Sequence, residues 1–405
     1  MILKGFLALV ALLTPVASWA AEPAKSPGFD GETITLGMIS PLTGPVAVLG
    51  QPVTAGQQVW YQKVNANGGI AGKYKVELLT EDNANQEAQT IQQYNKLKNS
   101  VTAFTQVFGT HTTMAIRPQL QVDKIVVSPA SFDSYWVHDA NMLPVGSTYQ
   151  VMAINAFSYW LDNEADTDPV ACALVRDDPY GEAGMQGIEF VAKKRGIEIA
   201  SEVTISQADQ DFTGQIAQLK SAECEMVFVT TVPPQLARIV GNAARAGFTP
   251  RWIAQWPSWH EALLKSPVVD YIEKYVWLAG EGAEWGESDD APGMNEIAGD
   301  IAQFKPDQAP NVWFITGYNQ ARAISAMLEK AVADGDLSRE GIMKALATMP
   351  NVNFGGLTGN YNYGPIEKRN PPAESTVFAI DKTKPFGLKA LKTSFAAPET
   401  ADFKY

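Results

Sequence analysis

Strand-like and helix-like segments alternate along nearly the whole chain, and this alternation restricts its fold more than any other feature. Ile34, Leu36 and Met38 recur with the period of two that a strand requires. Further strand-like runs lie at 125–127, 171–175, 226–230, 252–255, 275–279 and 375–380. Segments with helical spacing lie between many of them, for example 182–195, 212–220 and 234–246. This order predicts right-handed βαβ units around parallel sheets, an α/β fold.

The length of the chain predicts more than one core. A single hydrophobic core rarely grows beyond about 250–300 residues, and this chain has 405. No shift in composition and no low-complexity linker separates its halves. Two α/β lobes joined by several short crossings therefore fit better than two domains on one tether.

The N-terminus has the three parts of an export signal. Lys4 is the only charge before an apolar run at 6–16, and Ser18-Trp19-Ala20 offers small residues for cleavage. The run is shorter than the roughly 20 residues that span a bilayer. We expect residues 1–20 to be removed after Ala20 and the mature protein to work in the periplasm, with no direct membrane insertion.

The charge of the chain argues against two classes of partner. The sequence carries 44 acidic and 31 basic residues, a net charge of −13. An acidic surface repels phosphate backbones and anionic lipid, so we expect neither nucleic acid nor a membrane surface as a partner.

The two cysteines, Cys172 and Cys224, lie in or just before strand-like runs. Neighbouring parallel strands could bring them within bridging distance, and an exported protein favours oxidation. A disulfide is therefore favoured, with two buried free thiols as the alternative. No C-x-x-C spacing points to metal binding or catalysis.

Enzyme signatures fail along the sequence. There is no G-x-S-x-G nucleophile elbow, and the three histidines lack the paired helical spacing of a zinc site. A phosphate-loop-like stretch at 68–74 is one residue short and ends on Tyr74. Chance carboxylate pairs among 44 acidic residues stay possible. We expect no enzyme, no catalytic residue, no metal and no cofactor.

Three segments carry a resemblance to a known family. They are the strand–loop–helix start at 34–50, the Gly-Gly turn at 65–72 and Arg176-Asp-Asp-Pro-Tyr-Gly-Glu182. Together they resemble the periplasmic solute-binding proteins of ABC importers, in the branched-chain amino acid (Leu/Ile/Val-binding protein-like) family. The resemblance implies a type I periplasmic binding fold: two Rossmann-like lobes with parallel central sheets and a three-segment hinge. It also implies a monomer that delivers a small ligand to an ABC permease in the inner membrane.

The same resemblance places the domain boundaries. Crossings between lobes are expected near Ser147, Gly280 and Gly355. Lobe 1 then comprises 31–147 plus 281–354, lobe 2 comprises 148–280 plus 355–390, and 391–405 form a C-terminal tail.

A hydroxyl-rich segment, Gly109-Thr-His-Thr-Thr113, stands where a strand should end and a helix begin. Helix starts bind carboxylates through backbone N–H groups. By resemblance, Thr112 and Thr113 grip a ligand carboxylate, although such residues also simply cap helices. His111 could add a hydrogen bond or a pH response, or simply pack.

Further contacts are implied by resemblance in both lobes. The second contact loop contains Ala130, Ser131 and Phe132, and lobe 2 contributes Tyr180 and Thr231.

The chain departs from the family where amino acid binders hold the α-ammonium. Trp256 stands at the acidic position, and 253–260 contain no acid. A zwitterion is disfavoured unless another acid, such as Glu284, substitutes, because an unpaired buried ammonium costs several kcal/mol.

Aromatic residues after strand ends suggest an apolar ligand body. Trp256, Trp259, Trp285 and Phe132 are predicted to cover it, whereas Trp313, inside a helix, is predicted to be core. We therefore expect an aromatic or alicyclic carboxylic acid. Alternatives are a branched-chain or other amino acid, a betaine-like quaternary ammonium ligand held in an aromatic cage, and a sensor-linked binding protein.

Overall fold

The computed structural model describes residues 25–309 and 311–405. The predicted signal peptide, residues 1–20, lies outside them. The described residues form two sheets with helices packed on them, so the predicted α/β class is confirmed.

The first sheet consists of four parallel strands in the order β2-β1-β3-β4. All six residues of β3 are buried because helices cover both faces of this sheet. Its strands are β1 (Thr33–Ser40), β2 (Lys75–Asp82), β3 (Ala103–Phe108) and β4 (Val127–Ala130).

The second sheet has seven strands in the order β11-β10-β9-β8-β7-β5-β6. The five strands from β9 to β6 are parallel, and β10 runs antiparallel to both of its neighbours. Its strands are β5 (Ala171–Arg176), β6 (Ile199–Ile205), β7 (Met226–Val229), β8 (Arg251–Gln255), β9 (Val276–Gly280), β10 (Ser375–Ile380) and β11 (Leu388–Phe395).

Helices complete the two lobes. On the first sheet lie α1 (Ala47–Ala66), α2 (Glu87–Leu97), α3 (Thr110–Asp123), α9 (Pro292–Phe304), α10 (Val312–Ala333) and α11 (Arg339–Thr348). On the second lie α4 (Tyr149–Asn163), α5 (Pro179–Arg195), α6 (Thr213–Ser221), α7 (Pro233–Arg245) and α8 (Val269–Tyr275).

Two glycines let α1 and α10 pack backbone to backbone in lobe 1. A Cβ on Gly56 would lie 2.2 Å from the carbonyl oxygen of Phe314, and one on Gly317 would lie 1.9 Å from that of Val53. Any larger residue would force the two helices apart, so these glycines set how closely α10 packs on α1.

The chain passes between the sheets between β4 and α4, after β9, and between α11 and β10. One carboxyl group touches all three passages: Glu281 Oε1 accepts a hydrogen bond from the Ser147 N–H at 3.2 Å and from the Thr358 hydroxyl at 2.5 Å. Burial raises the pKa of Glu281 to about 7, although the two hydrogen bonds act to lower it. We call this group the hinge carboxyl.

The predicted tail at 391–405 needs correction. Residues 391–395 belong to β11, which pairs with β10, so the sheet continues past the expected boundary. Beyond it, Glu399 accepts a hydrogen bond from Arg195 Nε at 2.5 Å, and Phe403 packs edge-on against Phe190 with ring centroids 5.2 Å apart. The chain up to Phe403 is therefore docked on lobe 2.

A disulfide joins Cys172 in β5 to Cys224, which lies two residues before the start of β7, with their Cα atoms 5.8 Å apart. Since β5 and β7 are neighbours, the bridge fixes the spacing of two central strands in lobe 2.

Candidate ligand-binding site

A cavity between the lobes lies at the C-terminal ends of several strands. It contains about 450 Å³ of empty space, its open mouth included. Ligands of α/β folds bind at this edge of the sheets. The cavity is lined by Val46, Leu49, Asn85, Phe108, Gly109, Thr110, His111, Ala130, Tyr149, Arg176, Tyr180, Val232, Pro257 and Trp313.

The polar end of the cavity on the lobe 1 side is the start of α3. Gly109 is its N-cap, with a φ of 98° that favours glycine, and it has no side chain to bond the first-turn N–H groups. Those groups have no partner within the helix and carry its positive dipole end. Gly109, Thr110 and His111 all line the cavity, so an anion there would meet N–H donors.

The two threonines predicted to hold the carboxylate do not line the cavity. Thr113 Oγ1 donates to the Gly109 carbonyl at 2.7 Å, and Thr112 Oγ1 donates to the Phe108 and Gly109 carbonyls. Both side chains are fully buried. Their hydroxyls stabilise the start of α3, and Thr110 takes the place beside the cavity.

The second predicted contact loop is divided between cavity and core. Ala130 lines the cavity. Ser131 lies behind it and bonds Thr110 Oγ1 at 2.7 Å, which fixes that threonine. Phe132 packs edge-on against Tyr149, with centroids 5.6 Å apart, and so supports a ring that does line the cavity.

Tyr180 lines the cavity from lobe 2, as its motif predicts. Its hydroxyl donates to the Thr231 carbonyl at 3.3 Å, and its ring meets that of Tyr149 at 5.0 Å. The Thr231 hydroxyl is directed to Gln235 at 3.1 Å, so Thr231 acts by holding Tyr180.

Arg176, the last residue of β5, is a buried cation in the cavity wall. Its Nε donates to Asp178 Oδ2 at 2.8 Å, and its Nη2 donates to the same carboxylate and to Gln207. Within the described residues no hydrogen bond engages Nη1. The sequence motif at 176–182 contains this arginine, but within it only Tyr180 is predicted to contact the ligand.

His111 faces this cation across the cleft. Burial, and then the positive charge of Arg176, lower the pKa of His111. The imidazole is therefore neutral at pH 7. Its Nε2 lies 3.2 Å from the Asn85 carbonyl, which can only accept, so Nε2 carries the proton.

Two of the predicted tryptophans, Trp256 and Trp259, lie behind the cavity. Trp256 begins a short 3₁₀ turn that directs its ring back to the sheet, where it stacks on Phe378 at 5.7 Å. The Trp259 carbonyl accepts a hydrogen bond from Trp313 Nε1 at 3.1 Å. Trp313, expected to be core, enters lobe 2 from α10 and is the tryptophan among the cavity-lining residues. Its position depends on how the lobes meet, which no local pattern encodes.

Trp285 and Glu284 lie away from the cavity. Trp285 packs near Phe386 at 6.3 Å and donates to the Asn311 carbonyl at 3.2 Å. Burial, together with Glu281 and Glu261, raises the pKa of Glu284 well above its ordinary value, and Glu284 is not among the residues that line the cavity. Glu284 therefore does not supply the missing counter-charge for an ammonium.

The described part of the chain shows neither a cluster of metal-binding side chains nor a membrane-spanning helix. No group of three His, Cys, Asp or Glu residues there is placed to hold a metal ion. No helix there has the length and apolarity needed to cross a membrane.

The comparisons with known proteins agree on one family. The periplasmic binding protein family model matches residues 33–384. The Leu/Ile/Val-binding protein homolog 3 of Brucella melitensis is 29% identical over 206 residues, which are 48% of this chain and 53% of that protein. The leucine-, isoleucine-, valine-, threonine- and alanine-binding protein of Pseudomonas aeruginosa is 21% identical over 363 residues, 84% of this chain and 90% of its own. Against several other curated relatives the match spans about three fifths of their length.

Solved structures share the fold over nearly the whole chain. A fatty acid ABC transporter substrate-binding protein from Thermomonospora curvata superposes with a TM-score of 0.87 at 24% identity, covering 94% of this chain and 97% of its own. A branched-chain amino acid ABC transporter protein from Thermus thermophilus with bound valine superposes with a TM-score of 0.78 at 15% identity. The match covers 92% of this chain and 98% of that protein.

Proposed function

This chain belongs to the type I periplasmic binding proteins of the branched-chain amino acid family, and from that premise we propose that it is the extracytoplasmic receptor of an ABC importer for a monocarboxylic acid with an aromatic or alicyclic body. In this proposal the monomeric receptor binds its ligand in the interlobe cavity without chemical turnover. It then presents the ligand to a permease in the inner membrane.

The balance of charge in the cavity wall carries the proposal. The lining residues include one permanent cation, Arg176, and the uncapped start of α3, but no Asp or Glu. A carboxylate finds donors and positive potential here, whereas an α-ammonium would be buried without a counter-charge. An acid that lacks the ammonium therefore fits best.

The rest of the wall supports an apolar body. Phe108, Tyr149, Tyr180 and Trp313 surround the cavity together with aliphatic side chains. Aromatic walls favour flat or ring-bearing groups through broad contact and edge-to-face packing. The same rings would not suit a quaternary ammonium ligand, because no Asp or Glu lines the cavity to balance its charge.

Amino acid binding is the second candidate, and the names of the relatives favour it. The Brucella, Pseudomonas and Escherichia proteins are named for leucine, isoleucine and valine. A fatty acid, named for the Thermomonospora protein, is a carboxylate without an ammonium. The ligands chosen to test the proposal therefore include both amino acids and acids without an ammonium group.

The test is a thermal-shift screen of refolded, ligand-stripped protein, since a ligand that binds only the native state raises its melting temperature. The panel contains phenylacetate, 3-phenylpropanoate, cyclohexanecarboxylate, octanoate, leucine, valine and glycine betaine, with phenylacetamide as the neutral control. Stabilisation by ring-bearing acids but not by the amide is the expected result. Stabilisation by leucine or valine alone would overturn the proposed ligand class, and by betaine alone would turn the rings into a cation cage.

A further inference from the structure

The loop between β2 and α2 holds two consecutive residues in the left-handed region. Ala84 has a φ of 45° and Asn85 one of 60°. Residues with a Cβ adopt this region at a cost, and such strain persists only where surrounding contacts impose it.

The carboxylate of Asp82 imposes this shape. Its Oδ1 accepts the N–H groups of Leu42 and Ala84 at 2.9 and 2.8 Å, and its Oδ2 accepts the Thr43 hydroxyl at 2.5 Å. The side chain of Asn83 adds a hydrogen bond from the Asn85 N–H at 3.0 Å. The loop is thus anchored to the segment that follows β1.

The strained loop delivers the Asn85 side chain to the cavity. Asn85 is only 4% exposed and is one of the lining residues. Its carbonyl faces His111, and its Oδ1 lies 3.1 Å from where a Cβ on Gly109 would stand. Its side-chain amide makes no hydrogen bond to any residue that the structure describes. The residue is buried but its amide atoms keep access to the cavity, so a ligand there can supply the missing hydrogen-bond partner.

We propose that Asn85 is a specificity-determining residue whose side-chain amide donates a hydrogen bond to the ligand carboxylate beside the start of α3. The inference rests on the proposed function, because it requires a carboxylate in this cavity. With Oδ1 against Gly109, the Nδ2 donor is left for the ligand. A neutral donor here adds to the N–H groups of the helix start without introducing a second charge.

The experiment compares two neighbouring glycine substitutions by calorimetric titration with phenylacetate, or with the panel carboxylate that wild-type protein binds most tightly. Asn85→Gly keeps the left-handed backbone and removes the amide. Its affinity should fall about 10- to 100-fold, the range for a lost hydrogen bond to a charged group. Ala84→Gly relaxes the adjacent position, keeps the amide and should bind as wild type.

A third variant and a neutral ligand separate recognition from folding. Asn85→Asp replaces the donor with an anion and should bind the acid still more weakly than Asn85→Gly. Both Asn85 variants should lose less affinity for phenylacetamide than for phenylacetate, because the amide carries no charge. The melting temperatures of the ligand-free variants show whether the fold is kept.

Each outcome has a defined meaning. Wild-type affinity in a folded Asn85→Gly, or an equal loss in Ala84→Gly, would overturn the role of Asn85 while leaving the proposed function standing. Stabilisation of wild type by leucine or valine alone would overturn the ring-bearing acid, and the same variants would then be compared with that amino acid. A wild type that binds no carboxylate of the panel would overturn both.

Discussion

The two walls of the cleft recognise a ligand by different means. Lobe 1 presents mainly backbone and neutral groups: the N–H groups at the start of α3, the neutral imidazole of His111 and the Asn85 amide. Lobe 2 presents side chains: the Arg176 cation, which lies over the Tyr180 ring, and the rings of Tyr149 and Tyr180, which contact each other. Backbone donors survive any substitution that keeps the helix, whereas a side chain is lost by one mutation. The largest single-residue effect on binding should therefore come from Arg176 in lobe 2, and smaller ones from Trp313 and from the Asn85 side chain of lobe 1.

The most damaging substitution on the lobe 2 wall should be Arg176→Gln. Removing the cation from a buried charge pair should weaken carboxylate binding about 100-fold or more. The affinity of Arg176→Gln for phenylacetamide should fall far less, because this ligand carries no charge. Calorimetric titration of both ligands measures the difference, with Asp178→Asn as the control that keeps the cation and loosens its position. An equal loss for acid and amide would show that Arg176 only shapes the wall.

A pair of tryptophans tests where the aromatic wall lies. Trp313→Leu should weaken a ring-bearing acid by about 2 kcal/mol, roughly 30-fold, because Trp313 lines the cavity. Trp256→Leu should instead lower the free energy of unfolding by about 2–4 kcal/mol, because Trp256 stacks on Phe378 behind the wall. Denaturant titration and ligand titration of both variants separate these effects. The reverse pattern would restore Trp256 as the ligand contact.

The junction between the two lobes should show a pH dependence. Burial raises the pKa of the hinge carboxyl from 4.5 to about 7 in the folded protein, so the folded state binds its proton more tightly than the unfolded state. Stability from this group is fully present below pH 4.5 and is lost as pH rises to about 7. Glu281→Gln should therefore lose less melting temperature than wild type between pH 5 and pH 8.

Burial also raises the pKa of Asp133 to about 7. Its contribution to the pH dependence of stability must therefore be separated from that of Glu281. Asp133→Asn is the matched control, and the double variant should be the least pH-dependent. An unchanged pH profile in Glu281→Gln would mean that its carboxyl is hydrated in the ligand-free protein.

The smallest effect on binding should come from Thr113 in lobe 1. Thr113→Val removes a hydroxyl that bonds the Gly109 carbonyl, so it should cost about 1 kcal/mol of stability and change affinity less than about twofold. Melting temperature and ligand titration test both parts. A selective loss of carboxylate binding would return Thr113 to the ligand site.

The sequence predicts the architecture better than the site. Buried parallel strands leave long apolar runs, and β5 and β10 lie within one residue of the predicted bounds. Tyr180 was found because its loop resembles a family motif. Trp256 follows a strand end, as a ligand contact would, but a 3₁₀ turn rotates it into the core. Trp313 and Asn85 reach the cavity through lobe packing and a strained loop, which leave no periodic signal.

The disulfide in lobe 2 ties completion of the binding site to the redox state of the compartment. Cys172 and Cys224 are 52 residues apart, and closing such a loop restricts the unfolded chain by roughly 4 kcal/mol. The described residues hold no other cysteine, so lobe 1 gains nothing from oxidation. In a reducing compartment the strand that ends at Arg176 loses this support while the start of α3 keeps its own. The stability that oxidation adds is therefore confined to the lobe 2 half of the binding site.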